Sequence, residues 1–494
     1  MNTYKDVLAI DIGAESGRAI LGRYESGKLT LYEIHRFLNK AVRLPDGLHW
    51  DLLYLLDEIK TGIKKAADQY GDSLLSAGID TWGVDHALLD HNDGLTFLPF
   101  HYRDSRTDGL LEEAYKIVPK NIIFERTGLQ FMSINTLYQL LSLVKVNSPA
   151  LSSAETFLTI PDLLNFWLTG KKVCEFSIAT TTQCYDPRKG DWAYGLIEKL
   201  GIPTKIFPEI VPSGTILGPL LPFVQKETGT ENLIVIAPAC HDTGSAVLSV
   251  PAKEMGAAFI SSGTWSLIGM EVDEPLITEE AQELNFTNEG GFNGNFRFLK
   301  NITGLWLIQE CRRYWKSNGE DLDYEQITSL AERATPLVSF INTDEAKFIK
   351  PGNMPIKIQE FCEKSGQLVP ETKGEIVRCV LESLAMKYRD EFSNLERISK
   401  RRIETLHIVG GGTQNQLLNQ FTANSLNRKV ITGPVEATAV GNILGQLIAL
   451  GEIESVNSAR EVVRSSFTLE EYLPEKMDVW SNAYQRYSCI IGQQ

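Results

Sequence analysis

The stretch from Val7 to Leu21 constrains the fold of this chain more than any other. Two apolar runs with β-strand character flank a short turn of small and polar residues, and Asp11 closes the first run. Backbone N–H groups that converge in such a turn can bind phosphate oxygens, and we expect Gly13 and Gly17 to supply the positive φ angles that this needs. Asp11 could hold a magnesium ion, directly or through water. The alternative is an ordinary hairpin whose Asp caps the turn.

The length and charge of the chain restrict its organisation and its partners. Its 494 residues exceed what one hydrophobic core usually serves, so two domains are expected, and 43% apolar with 22% charged residues is typical of a globular protein. The formal net charge of −15 argues against nucleic acid or an anionic membrane as a main partner. A polyanion such as ATP would then need local N–H groups and a metal ion.

The sequence contains no targeting or metal-binding pattern. The N-terminal residues run directly into a strand, which predicts no signal peptide, and no uncharged apolar run approaches the roughly 18 residues of a membrane span. The seven cysteines are scattered, without a CxxC pair or a zinc spacing. We therefore expect mostly buried thiols and a cytoplasmic protein.

The pattern of strands and helices predicts two related halves. Residues 28–34 alternate like a third strand, which predicts a meander, and residues 51–60 have the crowded apolar spacing of a buried helix. The order strand, small polar turn, strand returns at residues 257–270 and indicates a duplicated fold. A boundary near residues 249–253 gives domains 1–248 and 249–494, which we expect to pack around a cleft.

Two familiar ligand motifs do not fit. No Gly-Lys pair is followed by Ser or Thr, so the chain has no P-loop. Residues 104–109 are similar to a calcium loop, but Arg106 stands where an oxygen ligand is needed. A turn followed by a helix cap is the better interpretation of that segment.

A buried strand that ends at a helix start lies in residues 234–247, with His241, Asp242 and Thr243 at the junction. Asp242 could simply cap the helix. It could also accept the proton of an attacking hydroxyl, because a carboxylate near a helix N-terminus stays ionised and phosphoryl transfer needs a positioned acceptor. Both interpretations remain open.

Three further segments combine small residues with a strand or helix. Residues 406–421 read as a strand, three glycines and an amphipathic helix, which would let a flat ligand approach the backbone; a structural turn is the alternative. Residues 433–442 have the small side chains of a closely packed helix. Residues 77–90 read as two strands joined through Trp82 and Gly83, which could receive a sugar or could be a hairpin-like bend around a buried Trp.

Taken in order, these motifs resemble the FGGY family of carbohydrate kinases over residues 5–455. They are the Asp-x-Gly hairpin, the strand near residue 80, the His-Asp-x-Gly junction, the Ser-Gly-Thr hairpin, and Gly-Gly-Gly with Glu-Ala-Thr. The resemblance implies an α/β protein with two actin-like ATPase (ribonuclease H-like) domains that flank a central catalytic cleft. Residues 78–85, 241–243 and 301–313 are most similar to family members that phosphorylate L-rhamnulose.

The resemblance also implies roles for individual residues. It implies ATP phosphate binding by Gly13, Ala14, Glu15, Ser16, Gly17 and Thr264, nucleotide contacts by Gln309 and Gly411, and a Mg²⁺ ion near Asp11. It implies ketose contacts by Gly83, His241, Asp242, Thr243 and Asn301, with Asp242 as the proton acceptor. Similar proteins can carry a cysteine pair at the positions of Cys362 and Cys379.

Two alternatives stay open beside this interpretation. The substrate could be L-fuculose or another deoxy-ketose. The chain could also be an actin-like sensor that binds ATP and sugar without phosphate transfer, although Asp242 argues against it. A nicotinamide-dependent dehydrogenase fits poorly, since the chain lacks the Gly-x-Gly-x-x-Gly turn with its downstream acid. Neither nucleic acid nor membrane is expected as a partner, and the chain could be a monomer or a homodimer.

Overall fold

The protein is described by a computed structural model over residues 4–253 and 257–492, with every side chain in those ranges except that of residue 72. Its strands are β1 (Lys5–Ile12), β2 (Ser16–Glu25), β3 (Lys28–Leu38), β4 (Ala41–Leu44), β5 (Gly47–Trp50), β6 (Leu74–Thr81), β7 (His86–Leu89), β8 (Thr156–Thr159), β9 (Cys174–Glu175), β10 (Tyr185–Asp186), β11 (Asp191–Trp192), β12 (Ile210–Val211), β13 (Thr215–Pro219), β14 (Ile234–Ala237), β15 (Ala258–Ser262), β16 (Trp265–Val272), β17 (Thr287–Gly290), β18 (Phe296–Thr303), β19 (Thr405–Val409), β20 (Lys429–Thr432) and β21 (Glu471–Tyr472).

Its α-helices are α1 (Leu52–Tyr70), α2 (Leu110–Ile117), α3 (Lys120–Thr127), α4 (Thr136–Lys145), α5 (Pro149–Ser152), α6 (Ile160–Thr169), α7 (Phe176–Ala179), α8 (Tyr194–Lys199), α9 (Pro222–Thr228), α10 (Asp242–Leu248), α11 (Glu279–Glu283), α12 (Trp306–Ser317), α13 (Tyr324–Arg333), α14 (Ala346–Ile349), α15 (Met354–Lys364), α16 (Lys373–Ser399), α17 (Gln416–Leu426), α18 (Ala437–Ala449), α19 (Val456–Ser466) and α20 (Met477–Gly492). Short 3-10 turns connect some of these elements.

The chain divides into two compact units. The first comprises Met1–Met255, Glu271–Phe298 and Glu436–Phe467, and the second comprises Gly256–Met270, Leu299–Val435 and Thr468–Gln494. Two later segments of the chain thus belong to the first unit. The expected domains 1–248 and 249–494 stay a prediction.

A six-stranded mixed sheet organises the first unit, in the order β13-β14-β6-β1-β2-β3. The antiparallel pairs β1–β2 and β2–β3 confirm the predicted hairpin and meander. Strands β6 and β14 continue the sheet in parallel with β1. The carboxyl ends of β1, β6 and β14 therefore lie at one edge of the sheet.

The second unit repeats this arrangement. The second sheet has seven strands in the order β17-β18-β16-β15-β19-β20-β21, and from β18 onward this order corresponds strand by strand to the order β3-β2-β1-β6-β14-β13 of the first sheet. The hairpin β15–β16 is antiparallel, and β19 pairs in parallel with β15 as β6 does with β1. The predicted echo at residues 257–270 is confirmed as an equivalent hairpin.

Helix α1 covers one face of the first sheet. The Asp51 side chain accepts a hydrogen bond from the backbone N–H of Tyr54 and so caps the helix. The buried residues Leu55, Ile59 and Ile63 form a single stripe, whereas Leu53 is 64% exposed. The predicted helix is present, but it is amphipathic: one stripe is buried, and the opposite face is exposed.

Helix α18 covers the opposite face. A Cβ on Gly62 of α1 would lie 2.8 Å from the Ala19 methyl, whereas the next residue, Ile20, packs in the core that α18 supplies. Because side chains alternate along a strand, the two helices lie on opposite faces. A Cβ on Gly441 of α18 would lie 1.7 Å from the backbone oxygen of Ser245 in α10. The prediction of a closely packed small-residue helix is confirmed.

Two local predictions have different outcomes. Strands β6 and β7, on either side of Trp82, pair with other strands and not with each other, so the hairpin-like bend was wrong, although Trp82 is buried as expected.

Asp104 accepts a hydrogen bond from the backbone N–H of Arg106 and caps a 3-10 turn. This confirms the turn and cap predicted there.

Candidate functional site

Two carboxylates stand side by side where β1 and β6 end. Asp11 and Asp80 occupy paired positions of the two parallel strands, and both are buried. The Asn442 side chain of α18 donates a hydrogen bond of 2.5 Å to Asp80 Oδ2, while Asp80 Oδ1 is buried without a hydrogen-bond partner among the described residues. Sequence reasoning assigned no role to Asp80, although its place at a strand end, like that of Asp11, was a usable signal.

Arg18 balances part of this negative charge. Its Nη2 donates to Asp11 Oδ2 at 3.0 Å, and its Nη1 contacts a carboxylate oxygen of Glu436, which precedes α18. The predicted hairpin therefore carries its own cation beside Asp11. Neither Arg18 nor Glu436 was identified from the sequence.

Burial and neighbouring negative charges raise the pKa values of both buried carboxyls. Burial raises the pKa of Asp11 to about 6, with the Arg18 charge opposing that shift and Asp242 and Glu436 adding to it. Burial first, and then the charge of Asp11, raise the pKa of Asp80 well above its ordinary value. The strand ends thus concentrate carboxyl groups that a cation would stabilise in the ionised form.

Asp242 lies in the first turn of α10, directly after β14. Its side chain is 31% exposed, in contrast to the buried Asp11 and Asp80. The backbone N–H and the hydroxyl of Thr243 both donate to its Oδ1. Within residues 4–253 and 257–492, the hydrogen bonds that reach this carboxylate end on Oδ1, so Oδ2 is available to an incoming donor. His241, and not Asp242, is the capping residue of α10, and its side chain makes no capping bond.

The backbone before α10 is fixed by a buried carboxylate that sequence reasoning missed. Glu175 accepts hydrogen bonds from the hydroxyl of Ser177 and from the backbone N–H of Cys240 at 3.0 Å. The Ser177 hydroxyl oxygen in turn accepts from the backbone N–H of His241 at 3.1 Å. This network sets the position from which His241 and Asp242 project. No local pattern around residue 175 could have indicated it.

The His241 ring lies among three charged side chains. Its Nε2 is 3.4 Å from Asp242 Oδ1, and its Nδ1 is 3.1 Å from Arg297 Nη2 and 3.4 Å from Glu289 Oε2. Arg297 is fully buried and also donates from Nε to the backbone oxygen of Gly290 at 2.8 Å. Glu289 and Arg297 were not identified from the sequence.

The turn between β1 and β2 is held in place by its own backbone and by Asn39. The N–H of Gly13 donates to the oxygen of Ser16 at 2.9 Å, and the Asn39 side chain donates to the oxygen of Gly13 at 2.9 Å. Ala14 is half-buried and Glu15 is exposed. The turn predicted to bind phosphate is therefore ordered and accessible.

The reason given for the two glycines of this turn was wrong. Neither Gly13 nor Gly17 adopts a positive φ angle. A Cβ on Gly17 would lie 2.2 Å from the ring of Phe37, so packing against that ring requires glycine there. A Cβ on Gly13 would meet only the Ser16 oxygen, at 3.5 Å.

Gly83 lies in the connection after β6, half-buried against the 3-10 turn that follows α7. A Cβ there would lie 3.1 Å from the hydroxyl oxygen of Thr181, which accepts a hydrogen bond from the N–H of Val84. Val84 has a φ of 69°, an unusual conformation for a β-branched residue. The backbone at this point is thus strained and well supported, as at many ligand-binding positions.

Asp85 anchors the aromatic residues around this connection. Its Oδ2 accepts from the indole N–H groups of Trp50 at 2.6 Å and Trp82 at 2.9 Å, and from the backbone N–H of Tyr102 at 3.1 Å. Its Oδ1 accepts from Gln139 at 2.8 Å. Burial raises the pKa of Asp85 to about 6, with the indole and amide donors opposing that shift. The sequence pattern marked Trp82 but not this carboxylate.

The second unit brings together three of the residues predicted to contact the nucleotide. The N–H groups of Gly304 and Trp306 donate to the backbone oxygen of Thr264, so α12, which carries Gln309, begins on the β15–β16 turn. Gln309 Oε1 is buried without a hydrogen-bond partner among the described residues. Asn301, predicted to contact the ketose, lies half-buried in β18.

The glycine triplet packs against the same turn. A Cβ on Gly412 would lie 1.9 Å from the hydroxyl oxygen of Ser262, and Gly410 has a φ of 88°. Space is open beside Gly411, where an added Cβ would meet nothing within 4 Å. Close packing and a positive φ angle thus explain the two outer glycines, whereas the backbone at the middle glycine is exposed.

The remaining sequence predictions concern cysteines, membranes and metals. All seven cysteines are free thiols, six of them buried; Cys362 and Cys379 form no disulfide, and the hydrogen bond between their thiols lowers the pKa of Cys362. Across residues 4–253 and 257–492, no helix has both the length and the apolar character needed to cross a bilayer. The same residues contain no group of three or more His, Cys, Asp or Glu side chains placed to hold a metal ion.

Comparison with known proteins agrees with this architecture in both halves of the chain. The N-terminal domain profile of the FGGY family of carbohydrate kinases matches residues 7–249, and its C-terminal domain profile matches residues 258–450. The structure is similar to a ligand-bound xylulose kinase from Lactobacillus acidophilus, with a TM-score of 0.82 and 16% identity over 99% of this chain and 98% of that one. It is also similar to the Plasmodium falciparum glycerol kinase with ADP, with a TM-score of 0.79 and 16% identity over 99% and 97%.

Closer relatives are found by sequence. A protein of Bacteroides thetaiotaomicron named "Rhamnulokinase" is 42% identical over 98% of this chain and 99% of its own length. One of the same name from Oceanobacillus iheyensis is 43% identical over 95% and 99%. The predicted two-domain α/β fold and the predicted family are therefore confirmed, and ATP is the expected co-substrate. This chain belongs to the FGGY family of carbohydrate kinases.

Proposed function

We propose that this chain transfers the γ-phosphoryl group of ATP to the C1 hydroxyl of L-rhamnulose and releases L-rhamnulose 1-phosphate and ADP. The observation that carries this proposal is the partly exposed Asp242 at the start of α10, with Oδ2 available beside His241. The name of the relatives that are about 40% identical over nearly their whole length supports L-rhamnulose as the substrate.

The proposed chemistry depends on position more than on a strong base. Asp242 accepts the proton of the C1 hydroxyl as the hydroxyl oxygen bonds to the γ-phosphorus and the bond to the ADP oxygen breaks. Phosphoryl transfer of this kind needs a held acceptor and a held phosphate, which the fixed Cys240–His241 backbone supports on the acceptor side. Water must be excluded, because it competes with the sugar as a nucleophile.

The sugar is proposed to contact the α10 junction and the connection after β6. The side chains of His241, Asp242 and Thr243 and the backbone of Gly83 are proposed to contact the sugar. Asn301 adds a contact from β18. The ordered backbone at Gly83 and the aromatic residues anchored by Asp85 favour a fixed, specific sugar position. We assign sugar binding and the proton acceptor to domain 1–248.

The phosphates of ATP are proposed to bind to the turn from Gly13 to Gly17 and to Thr264. Gln309 and Gly411 contact the nucleoside, which agrees with the buried Gln309 oxygen that lacks a partner and the open space beside Gly411. We assign nucleotide binding mainly to domain 249–494. The scattered, reduced cysteines favour a cytoplasmic location.

Mg²⁺ fits the carboxyl pair at the ends of β1 and β6. Asp11 would hold it, and the Asp80 oxygen that lacks a partner among the described residues could supply a second oxygen ligand of the kind that this ion prefers. The bound ion would neutralise phosphate charge and relieve the repulsion between the two carboxylates.

The proposal is tested by ADP release with Mg-ATP and, in turn, L-rhamnulose, L-fuculose, D-xylulose and glycerol. We expect the highest kcat/KM with L-rhamnulose. A clear preference for L-fuculose would refute the proposed substrate and leave the family unaffected. Sugar binding without sugar-dependent ADP release would instead support the sensor alternative.

A further inference from the structure

Arg297 is buried beside the α10 junction, and among the described residues its hydrogen bond to the proposed site is the one with His241. It is fully buried, its Nε is held by the backbone oxygen of Gly290, and its Nη2 is 3.1 Å from Nδ1 of His241. Burying an arginine is costly unless its charge is balanced. Its Nη2 is balanced by Glu289 Oε2 at 3.4 Å.

The chemistry of the guanidinium group decides the protonation of the imidazole. A guanidinium group has only donors, so the contact with Arg297 is a hydrogen bond only if His241 Nδ1 is an acceptor. An imidazole whose Nδ1 accepts must carry its proton on Nε2. A doubly protonated His241 would bring two donors and two positive charges together at 3.1 Å.

We infer that Arg297 is a positioning residue that holds His241 as the neutral Nε2–H tautomer, with Nε2 on the side of the ring that faces Asp242. Nε2 lies 3.4 Å from Asp242 Oδ1, on the side of the ring opposite the contact with Arg297. A neutral imidazole adds no positive charge beside the Asp242 carboxylate, whereas an imidazolium at that distance would stabilise the carboxylate anion and weaken it as a proton acceptor. The catalytic effect of Arg297 rests on the proposed role of Asp242, whereas the tautomer of His241 does not depend on that role.

The charges around the ring explain why His241 needs Arg297 to stay in the Nε2–H form. Glu289, next to Nδ1, favours a proton on that atom, and Asp242, next to Nε2, favours one on the other. Asp11 and Asp80 add negative charge near Asp242, and the buried Glu175 lies behind the His241 backbone. Without Arg297, these carboxylates together would favour the imidazolium or the Nδ1–H form of His241.

The test is the ¹⁵N NMR spectrum of protein labelled at histidine, recorded without substrate at neutral pH. The His241 signals are assigned by their loss in a His241→Gln variant. In the native protein we expect the coupling pattern of an Nε2–H imidazole whose Nδ1 accepts a hydrogen bond. In Arg297→Gln we expect a shift to the Nδ1–H or doubly protonated form, and Arg297→Lys should restore the native pattern at least in part, because it keeps a cationic donor.

Arg460→Gln is the matched control. Arg460 is an equally buried arginine of the first unit, paired with Glu271 at 2.5 Å, and it does not contact His241. Its loss should leave the His241 signals unchanged. An Nδ1–H or doubly protonated His241 in the native protein would overturn the inference, even if Arg297→Gln failed to fold. An unchanged His241 tautomer in a folded Arg297→Gln would also overturn it.

Kinetics separate this inference from the proposed function. If both hold, Arg297→Gln should lower kcat about 10- to 100-fold, as loss of a residue that orients an imidazole commonly does, and leave the KM for ATP nearly unchanged. A native Nε2–H tautomer in a protein that phosphorylates no sugar would refute the proposed function alone. If Arg297→Gln changes the His241 tautomer and kcat stays the same, the catalytic effect assigned to Arg297 is refuted.

Discussion

Asp11 and Asp80 face each other across a pair of parallel strands, and both carboxyl groups are buried. Burial is the main cause that raises the pKa of Asp11 to about 6 and the pKa of Asp80 well above its ordinary value, and the charge of Asp11 adds to the shift of Asp80. Buried carboxylates that destabilise the ligand-free protein are common at sites where a bound ligand balances their charge.

Asp11→Asn should stabilise the ligand-free protein at high pH more than at low pH. The native pKa of about 6 lies above the ordinary value of 3.8, so the stability linked to this proton is complete below 3.8 and is lost as the pH rises through 6. Asn carries no such dependence. The difference in Tm between variant and native protein should therefore become more positive from about pH 4 to about pH 7 and then level off, with a change of no more than about 2 to 4 °C for each kcal/mol.

The control for this prediction is Asp57→Asn, because the Asp57 side chain is 75% exposed. That variant should show no change of the Tm difference with pH. The same Asp11→Asn protein should bind ATP more weakly in the presence of Mg²⁺, while its binding of ATP in EDTA changes little. A Tm difference that is constant with pH would contradict the burial effect assigned to Asp11.

Asp85→Asn should destabilise the first unit and weaken sugar binding. Asn replaces one of the two acceptor oxygens by a donor, so either Gln139 or the group formed by Trp50, Trp82 and Tyr102 loses its acceptor. A buried donor left without a partner costs about 1 to 3 kcal/mol. Urea unfolding should report this loss, and the KM for the sugar should rise while the Kd of ATP stays unchanged. An unaltered KM for the sugar would separate Asp85 from the sugar site.

Gly17→Ala should destabilise the N-terminal hairpin through a clash with Phe37. The added Cβ would lie 2.2 Å from the ring, and overpacking of this kind costs about 1 to 3 kcal/mol. Combination with Phe37→Leu should cost less than the sum of the two single variants, as a double-mutant cycle measures. Strict additivity would show that the ring does not require glycine at this position.

Gly441→Ala should separate α18 from α10. The methyl group would lie 1.7 Å from the backbone oxygen of Ser245, which no side-chain rotation can relieve, so we expect a loss of at least about 2 kcal/mol in urea unfolding. Gly195→Ala in α8 is the matched control, since its Cβ would meet nothing within 4 Å. Because alanine is the better helix former, that variant should be neutral or more stable by up to about 1 kcal/mol. Equal effects of the two substitutions would contradict this account.

Local patterns predicted the parts of the fold in which neighbours in sequence are also neighbours in space. The hairpins β1–β2 and β15–β16 follow from apolar runs around short polar turns, and the α10 start follows from a strand that ends at a polar junction. Such features need no knowledge of distant residues. For the same reason, the bend at Trp82 was misjudged: its two strands pair with partners far along the chain.

The parts of the candidate site that escaped prediction depend on long-range contacts. Arg297 and Glu175 are each more than fifty residues from His241, and only the folded chain brings them to it. Glu436 reaches Arg18 from the opposite end of the sequence, because α18 returns to the first unit. Gly17 shows a further limit: it lies in β2, where it pairs with Ile12, and not in the turn as predicted, and a distant residue, Phe37, requires glycine there.

The central claim is that Asp242 accepts the proton of the sugar hydroxyl during phosphoryl transfer. The most direct test is a single-turnover measurement of L-rhamnulose 1-phosphate formed from Mg-ATP by native protein and by Asp242→Asn, with the Kd of ATP measured in parallel. Loss of general-base catalysis should slow transfer by about 10²- to 10⁴-fold, while ATP binding stays nearly unchanged, because Asp242 is assigned to the sugar. Transfer at the native rate by Asp242→Asn would contradict the account.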